Sequence, residues 1–145
     1  MSVASEMASL YSTAMIEHMD KPENRIAEVV IGAAIEVHRH LGPALLESAY
    51  AACLADELAS RGVRFRREVP IAVRYKGRTL QDAFRADLLV DELVLIELKA
   101  VAEITPVHRA QALTYLRLSG LKLCLMLNFK VVRMREGIDR FVNKL

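Results

Sequence analysis

Three features of the chain predict an α/β domain with a mixed central β-sheet flanked by helices. Residues 84–99 hold two apolar, strand-like runs separated by the short polar stretch Asp91–Leu93, which suits a hairpin. Helical periodicity lies on both sides of that hairpin, over residues 24–41, 44–61 and 106–120. A further apolar run, Leu121–Asn128, follows the last helix, and a connection of that length suits a parallel, right-handed crossover. A hairpin and a crossover in one sheet make the sheet mixed.

At 145 residues the length favours one domain, and 53% hydrophobic with 26% charged residues excludes a disordered or low-complexity chain. Residues 23–145 are expected to form that domain. Residues 1–22 read as an N-terminal arm or weak helix, because Lys21-Pro22 disfavours helix at Lys21. From Asn24, read as the cap, the apolar residues Ile26, Val29, Val30, Ala33, Ala34, Val37 and Leu41 recur at helical spacing until Gly42-Pro43. His38 and His40 near that end suit cap or surface duty. The next helix, 44–61, buries Leu45, Leu46, Ala49, Cys53, Leu54 and Leu58, stops at Gly62, and sets Glu47 and Tyr50 on one face.

The period then changes to two. Val63–Val69 and Ile71–Tyr75 read as strands around Pro70, with Lys76-Gly77 turning the chain into Thr79–Val90. Arg64, Arg66, Arg74 and Arg85 in this region are candidate nucleic-acid contacts, set against the plainer reading of a solvated strand face. Thr105-Pro106 opens the third long helix as N-cap and first-turn proline, and His108, Gln111 and Tyr115 form a polar stripe along it. After Asn128, Lys130–Met134 and Arg140–Val142 read as edge strands around Gly137.

Composition narrows the function classes. A net charge of +2 permits a phosphate-binding face without requiring one. Two distant cysteines, Cys53 and Cys124, indicate neither a zinc site nor a disulfide framework. No run approaches a membrane span and no secretory signal is visible, so a soluble, cytoplasmic protein with no membrane partner is expected.

The chemistry concentrates where Asp87, Glu97 and Lys99 interrupt apolar strands. Charges inside a covered sheet cost several kcal/mol unless compensated. Glu97 and Lys99, two apart, share a strand face, and a three-residue loop would bring Asp87 to the same face. Two carboxylates suit a hard divalent cation such as Mg²⁺, with Mn²⁺ as a substitute, whose shell is completed by water and substrate phosphate. A neighbouring lysine can hold the attacking water or a phosphate oxygen.

These residues, with a helical Glu47 and a later Gln111, resemble the restriction-endonuclease-like PD-(D/E)XK nuclease superfamily. Within it, the blocks Ile31–His38, Leu41–Tyr50, Ala86–Val90, Ile96–Ala100 and Gln111–Leu116 are similar to the GxxExxY proteins. Ala44 stands where that pattern has its glycine, and Ala86 replaces the proline of the first superfamily motif. The resemblance implies a four-stranded mixed sheet flanked by helices, with Asp87, Glu97 and the Leu98 carbonyl around Mg²⁺. It also implies that Glu47 ligates directly or through water, that Lys99 positions water and stabilises phosphate charge, and that Gln111 orients Lys99 or the substrate backbone. Tyr50, His108 and Tyr115 would support the site. The expected activity is Mg²⁺-dependent phosphodiester hydrolysis of DNA or RNA. The alternative is a non-catalytic binding or assembly module of the same fold, such as a homodimer.

Overall fold

The computed structural model describes residues 12, 15 and 21–145. The arm expected over residues 1–22 falls mostly outside the described residues. Helix α1 spans Pro22–Leu41, with Pro22 in the first turn and extended Lys21 preceding it. The cap is therefore Lys21, not Asn24, because proline's missing N–H and fixed φ suit the first helical position. Asn24 is instead buried and accepts a hydrogen bond from Arg140. Gly42, at φ 71°, ends the helix. The buried imidazole of His38 bonds to the Val131 carbonyl at 2.7 Å, while exposed His40 pairs with Glu36.

Helix α2 spans Glu47–Ser60, starting three residues later than its periodicity predicts. The Tyr50 hydroxyl accepts from the Leu45 N–H at 3.1 Å and donates to the Gly42 carbonyl. This tether holds 42–46 as a loop, with Leu45 and Leu46 exposed rather than in the core.

Strands β1 (Phe65–Tyr75), β2 (Arg78–Val90) and β3 (Val94–Lys99) form an antiparallel meander. Helix α3 (Pro106–Ser119) crosses over to β4 (Leu123–Asn128), parallel to β3, and β5 (Ile138–Val142) closes the sheet antiparallel to β4. The order is β1-β2-β3-β4-β5. The sheet is mixed, as expected, with five strands rather than four.

Two further expectations are corrected. The strands anticipated on either side of Pro70 are one strand, since β1 is an edge, where a residue that cannot donate is tolerated. Lys130–Met134 is not a strand: the Phe129 N–H makes the last bond of the parallel ladder, to the Lys99 carbonyl at 2.9 Å, and the chain then bends into a 3₁₀ turn, Met134–Gly137. Gly137 is required there, because a Cβ would lie 2.0 Å from the Asn128 carbonyl oxygen.

The sheet separates two apolar clusters. On one face Leu88, Val90, Val94, Ile96, Leu98, Leu123, Leu125 and Leu127 pack with α1 and α2. On the other, Val69, Leu89, Leu95, Cys124 and Met126 pack with Ala112 and Leu116 of α3. Strand β2 pairs with β3 only over Leu88–Val90, so the β1–β2 hairpin runs on past β3 as an arm ending in exposed Tyr75 and Leu80.

Candidate active site

The site forms where β2 and β3 part. The turn between them, Asp91–Leu93, has the odd length that brings residues of equal parity opposite one another, with Leu88 facing Ile96. Asp91 and Glu92 adopt φ of 51° and 57° to close it. One step beyond the last pair, Asp87 comes opposite Glu97, and the backbone ladder stops there. The Asp87 carboxylate takes over as acceptor, receiving the Leu98 N–H at 2.7 Å. The split is thus held by a side chain, and the first carboxylate is fixed beside the second.

Glu97 is buried at 7% exposure, and its Oε1 has no hydrogen-bond partner. A buried, unsatisfied carboxylate oxygen is expensive, and its charged form most of all. Burial, reinforced by the Asp87 charge and only partly offset by Lys99, pushes the Glu97 carboxyl up to about 8. Burial also raises the Asp87 carboxyl, against the Leu98 N–H and Lys99, which favour its charged form. The Glu47 carboxyl, in the first turn of α2, is raised by partial burial and then by the Asp87 charge. The three carboxylates and Lys99 therefore sense one another electrostatically although they come from three elements.

That donor set fits a hard cation. Two carboxylates with one orphaned oxygen, next to the backbone oxygens of β3, offer oxygen ligands only, and a divalent ion would relieve both the missing partner and the mutual repulsion. Among the described residues no group of three or more His, Cys, Asp or Glu side chains could hold a metal alone. This matches ions that keep water and substrate oxygens in their shell.

Lys99, the last residue of β3, lies opposite Asn128 on β4. Asn128 is a site residue that the sequence reading missed. Its buried amide donates to the Val101 carbonyl at 2.9 Å and accepts from the N–H groups of Val101 and Lys130, clamping the chain on both sides of the sheet end. A polar residue ending an apolar strand next to the crossover was the available signal. Glu68 was also missed: register places it opposite Asp87, whose carboxyl its charge helps to raise.

Other expected residues fall as follows. The Tyr50 hydroxyl anchors the loop before Glu47, and its ring stacks on Phe129 with centroids 4.4 Å apart. Tyr115 stacks on Phe84 of β2 at 3.7 Å, and its hydroxyl is raised by burial and by the charges of Glu97 and Asp87. His108 is engaged at the start of α3, where its ring accepts the Thr105 N–H and its N–H bonds the Thr105 hydroxyl. Gln111 is exposed one turn before Tyr115, and among the described residues no hydrogen bond joins it to Lys99. Arg64 and Arg66 are ion-paired with Asp91 and Glu92 at the turn, whereas Arg74 and Arg85 lie on the projecting arm, Arg85 at a looser 3.7 Å from Asp82.

The family model of the PD-(D/E)XK nuclease superfamily matches residues 24–141, most of the chain and every element that builds the split. The chain belongs to the PD-(D/E)XK nuclease superfamily. Among the described residues of this PD-(D/E)XK domain, the strand pair carrying Asp87 and Glu97-Leu98-Lys99 holds the buried side-chain oxygen without a hydrogen-bond partner. A solved structure described as "Crystal structure of SSO0001" is similar at 18% identity and a TM-score of 0.46, covering 82% of this chain. This chain spans 59% of that protein's length. No curated protein matches. Among the described residues no helix is long and apolar enough to cross a membrane.

Proposed function

We propose that this PD-(D/E)XK domain is a divalent-metal-dependent nuclease acting on DNA or RNA, and that within the superfamily it belongs beside the GxxExxY proteins. The observation that carries the reading is the buried, partnerless Glu97 Oε1 beside an Asp87 carboxylate fixed by the Leu98 N–H. A fold that needed only stability would pair or remove such a group. The tether from Tyr50 to Gly42 and Leu45, which sets the start of the Glu47 helix, supports the narrower placement.

Asp87, Glu97 and the Leu98 carbonyl would hold Mg²⁺ or Mn²⁺, with Glu47 ligating directly or through water. The ion supplies Lewis-acid polarisation of the phosphate and a lowered pKa for bound water. Lys99 contributes a fixed positive charge that orients the attacking water and balances charge building on the phosphate oxygens. Asn128, by holding Val101, keeps the end of β3 in register and so aims Lys99. Gln111 is assigned the substrate backbone.

Isothermal titration with Mn²⁺ on wild type and Asp87→Asn tests the site, together with cleavage of single- and double-stranded DNA and RNA in Mg²⁺ and in EDTA. Mn²⁺ binding lost in the variant, with metal-dependent cleavage by wild type, is expected. Metal-induced stability without cleavage of any substrate would favour the binding-module reading instead.

A further inference from the structure

Beside the split lies a cleft of about 410 Å³, lined by Pro43, Ala44, Leu45, Leu46 and Glu47 on one side and Ala100 and Lys130 on the other. It shares Glu47 with the metal set, and Ala100 directly follows Lys99. The volume is within the roughly 300–1,000 Å³ of small-ligand clefts. Two features of its wall run against local folding preference. Leu46 occupies the N-cap of α2 with no side-chain cap, although leucine is among the poorest residues there. It is also 78% exposed, with Leu45 at 43%, next to each other on a loop that Tyr50 pins in place. Local choices that disagree with folding mark functional positions.

We infer that this cleft receives one unpaired nucleotide of the substrate strand, the one adjoining the scissile phosphate, with its base against Leu45, Leu46 and Pro43 and its phosphate toward Lys130. The inference rests on the nuclease reading for the nucleotide's place next to the metal. The chemistry is that of single-strand binding, with the aliphatic Leu45, Leu46 and Pro43 in place of an aromatic stacking platform and a cation for the phosphate. Lys130 makes no ion pair among the described residues and is exposed. Asn128 fixes its backbone by accepting the Lys130 N–H at 3.2 Å, so the cation is anchored to the clamp that also holds the end of β3. Leu45, Leu46 and Pro43 can meet the face of a base only when that base has left its stack, so the substrate class is single-stranded or frayed nucleic acid.

The probe is thymidine 5′-monophosphate, with thymidine as the control lacking the phosphate, followed by amide chemical shifts in Ca²⁺. Shifts at residues 44–47 and at Lys130 are expected, with affinity at least about tenfold weaker for thymidine. Lys130→Ala should weaken the monophosphate about tenfold, and Ala44→Trp, which fills the cleft from an exposed loop position, should abolish the shifts. If Ala44→Trp does not fold, Lys130→Glu serves in its place and must also abolish them. Anisotropy of labelled deca-thymidylate against a blunt duplex should show at least tenfold preference for the single strand. No shifts at the cleft, or equal shifts in the filled variant, would overturn the site, and equal affinity for duplex would overturn the substrate class. Mn²⁺ titration separates this from the nuclease reading: loss of the cleft with intact Mn²⁺ binding refutes only the nucleotide site, whereas monophosphate binding without Mn²⁺ binding refutes only the metal site.

Discussion

The β2–β3 hairpin carries two acidic pairs that the fold treats in opposite ways. At its turn, Asp91 and Glu92 are each answered by an arginine, Arg64 at 2.7 Å and Arg66 at 2.6 Å, in exposed or half-exposed positions. At its open end, Asp87 and Glu97 face each other with Lys99 nearby, and Glu97 is buried with an oxygen that has no hydrogen-bond partner. At the turn the hydrogen bond from Arg66 holds the Glu92 carboxyl low, while the carboxyls at the split are raised by burial. Charge that serves the fold is satisfied within the fold, and charge left waiting is available to a cation or substrate.

The largest expected effect comes from removing the waiting charge. The folded carboxyl of Glu97 sits at about 8, while in the unfolded chain it takes its ordinary value near 4.5. Between these values the folded protein keeps a proton that the unfolded chain releases, so metal-free stability falls as pH rises from about 4.5 to about 8. The loss should be on the order of a few kcal/mol. Urea unfolding in EDTA from pH 5 to pH 9 should show this slope in wild type and a flatter one in Glu97→Gln, which should be more stable at pH 8 and no longer bind Mn²⁺. A variant as pH-sensitive as wild type would show that the two acidic pairs do not differ.

Lys99→Ala comes next, since it removes the cation that favours the ionised form of both Asp87 and Glu97. Metal-free stability near neutral pH should drop, because Asp87 and Glu97 then lack an opposing charge. Mn²⁺ should restore the melting temperature, yet cleavage should stay down by about a hundredfold or more, as when a preorganised electrostatic donor is lost. Cleavage at the wild-type rate would reduce Lys99 to a counter-ion like Arg64.

Tyr50→Phe should act more mildly. It strips the Leu45 N–H and the Gly42 carbonyl of their shared hydroxyl, costing about 1–2 kcal/mol in thermal unfolding. Because that tether sets where the Glu47 helix begins, Mn²⁺ affinity should fall along with stability. A variant destabilised but with full affinity would separate Glu47 from the ion.

The smallest effect belongs to the turn. Arg64→Ala with Arg66→Ala should leave the melting temperature within experimental noise, as exposed ion pairs contribute little. Nucleic-acid affinity should also change little, since each arginine is held close to a carboxylate that offsets its charge, unlike Arg85 at 3.7 Å from Asp82. Arg74→Ala with Arg85→Ala on the arm should instead lower the slope of log affinity against log salt by about 1–2. The reverse ranking would place the phosphate track at the turn.

The sequence by itself determined the α/β class, the long helices, the hairpin and crossover, and the identity of the acidic-lysine set. These follow from period, loop parity and charges inside apolar runs, all of which are local. It also specified the capping threonine of α3, where Thr105-Pro106 is a contiguous signal. It misread Asn24 as a cap, because its bond to Arg140 joins residues more than a hundred positions apart. It placed Leu45 and Leu46 in the core, because the tether from Tyr50 that delays α2 is not written in periodicity. Only the tertiary structure decided that Arg64 and Arg66 are occupied, that Asn128 holds the end of β3, and that Glu97 Oε1 has no partner. Each of those depends on which distant groups arrive beside a residue, and burial and pairing exist only once the sheet has brought them together.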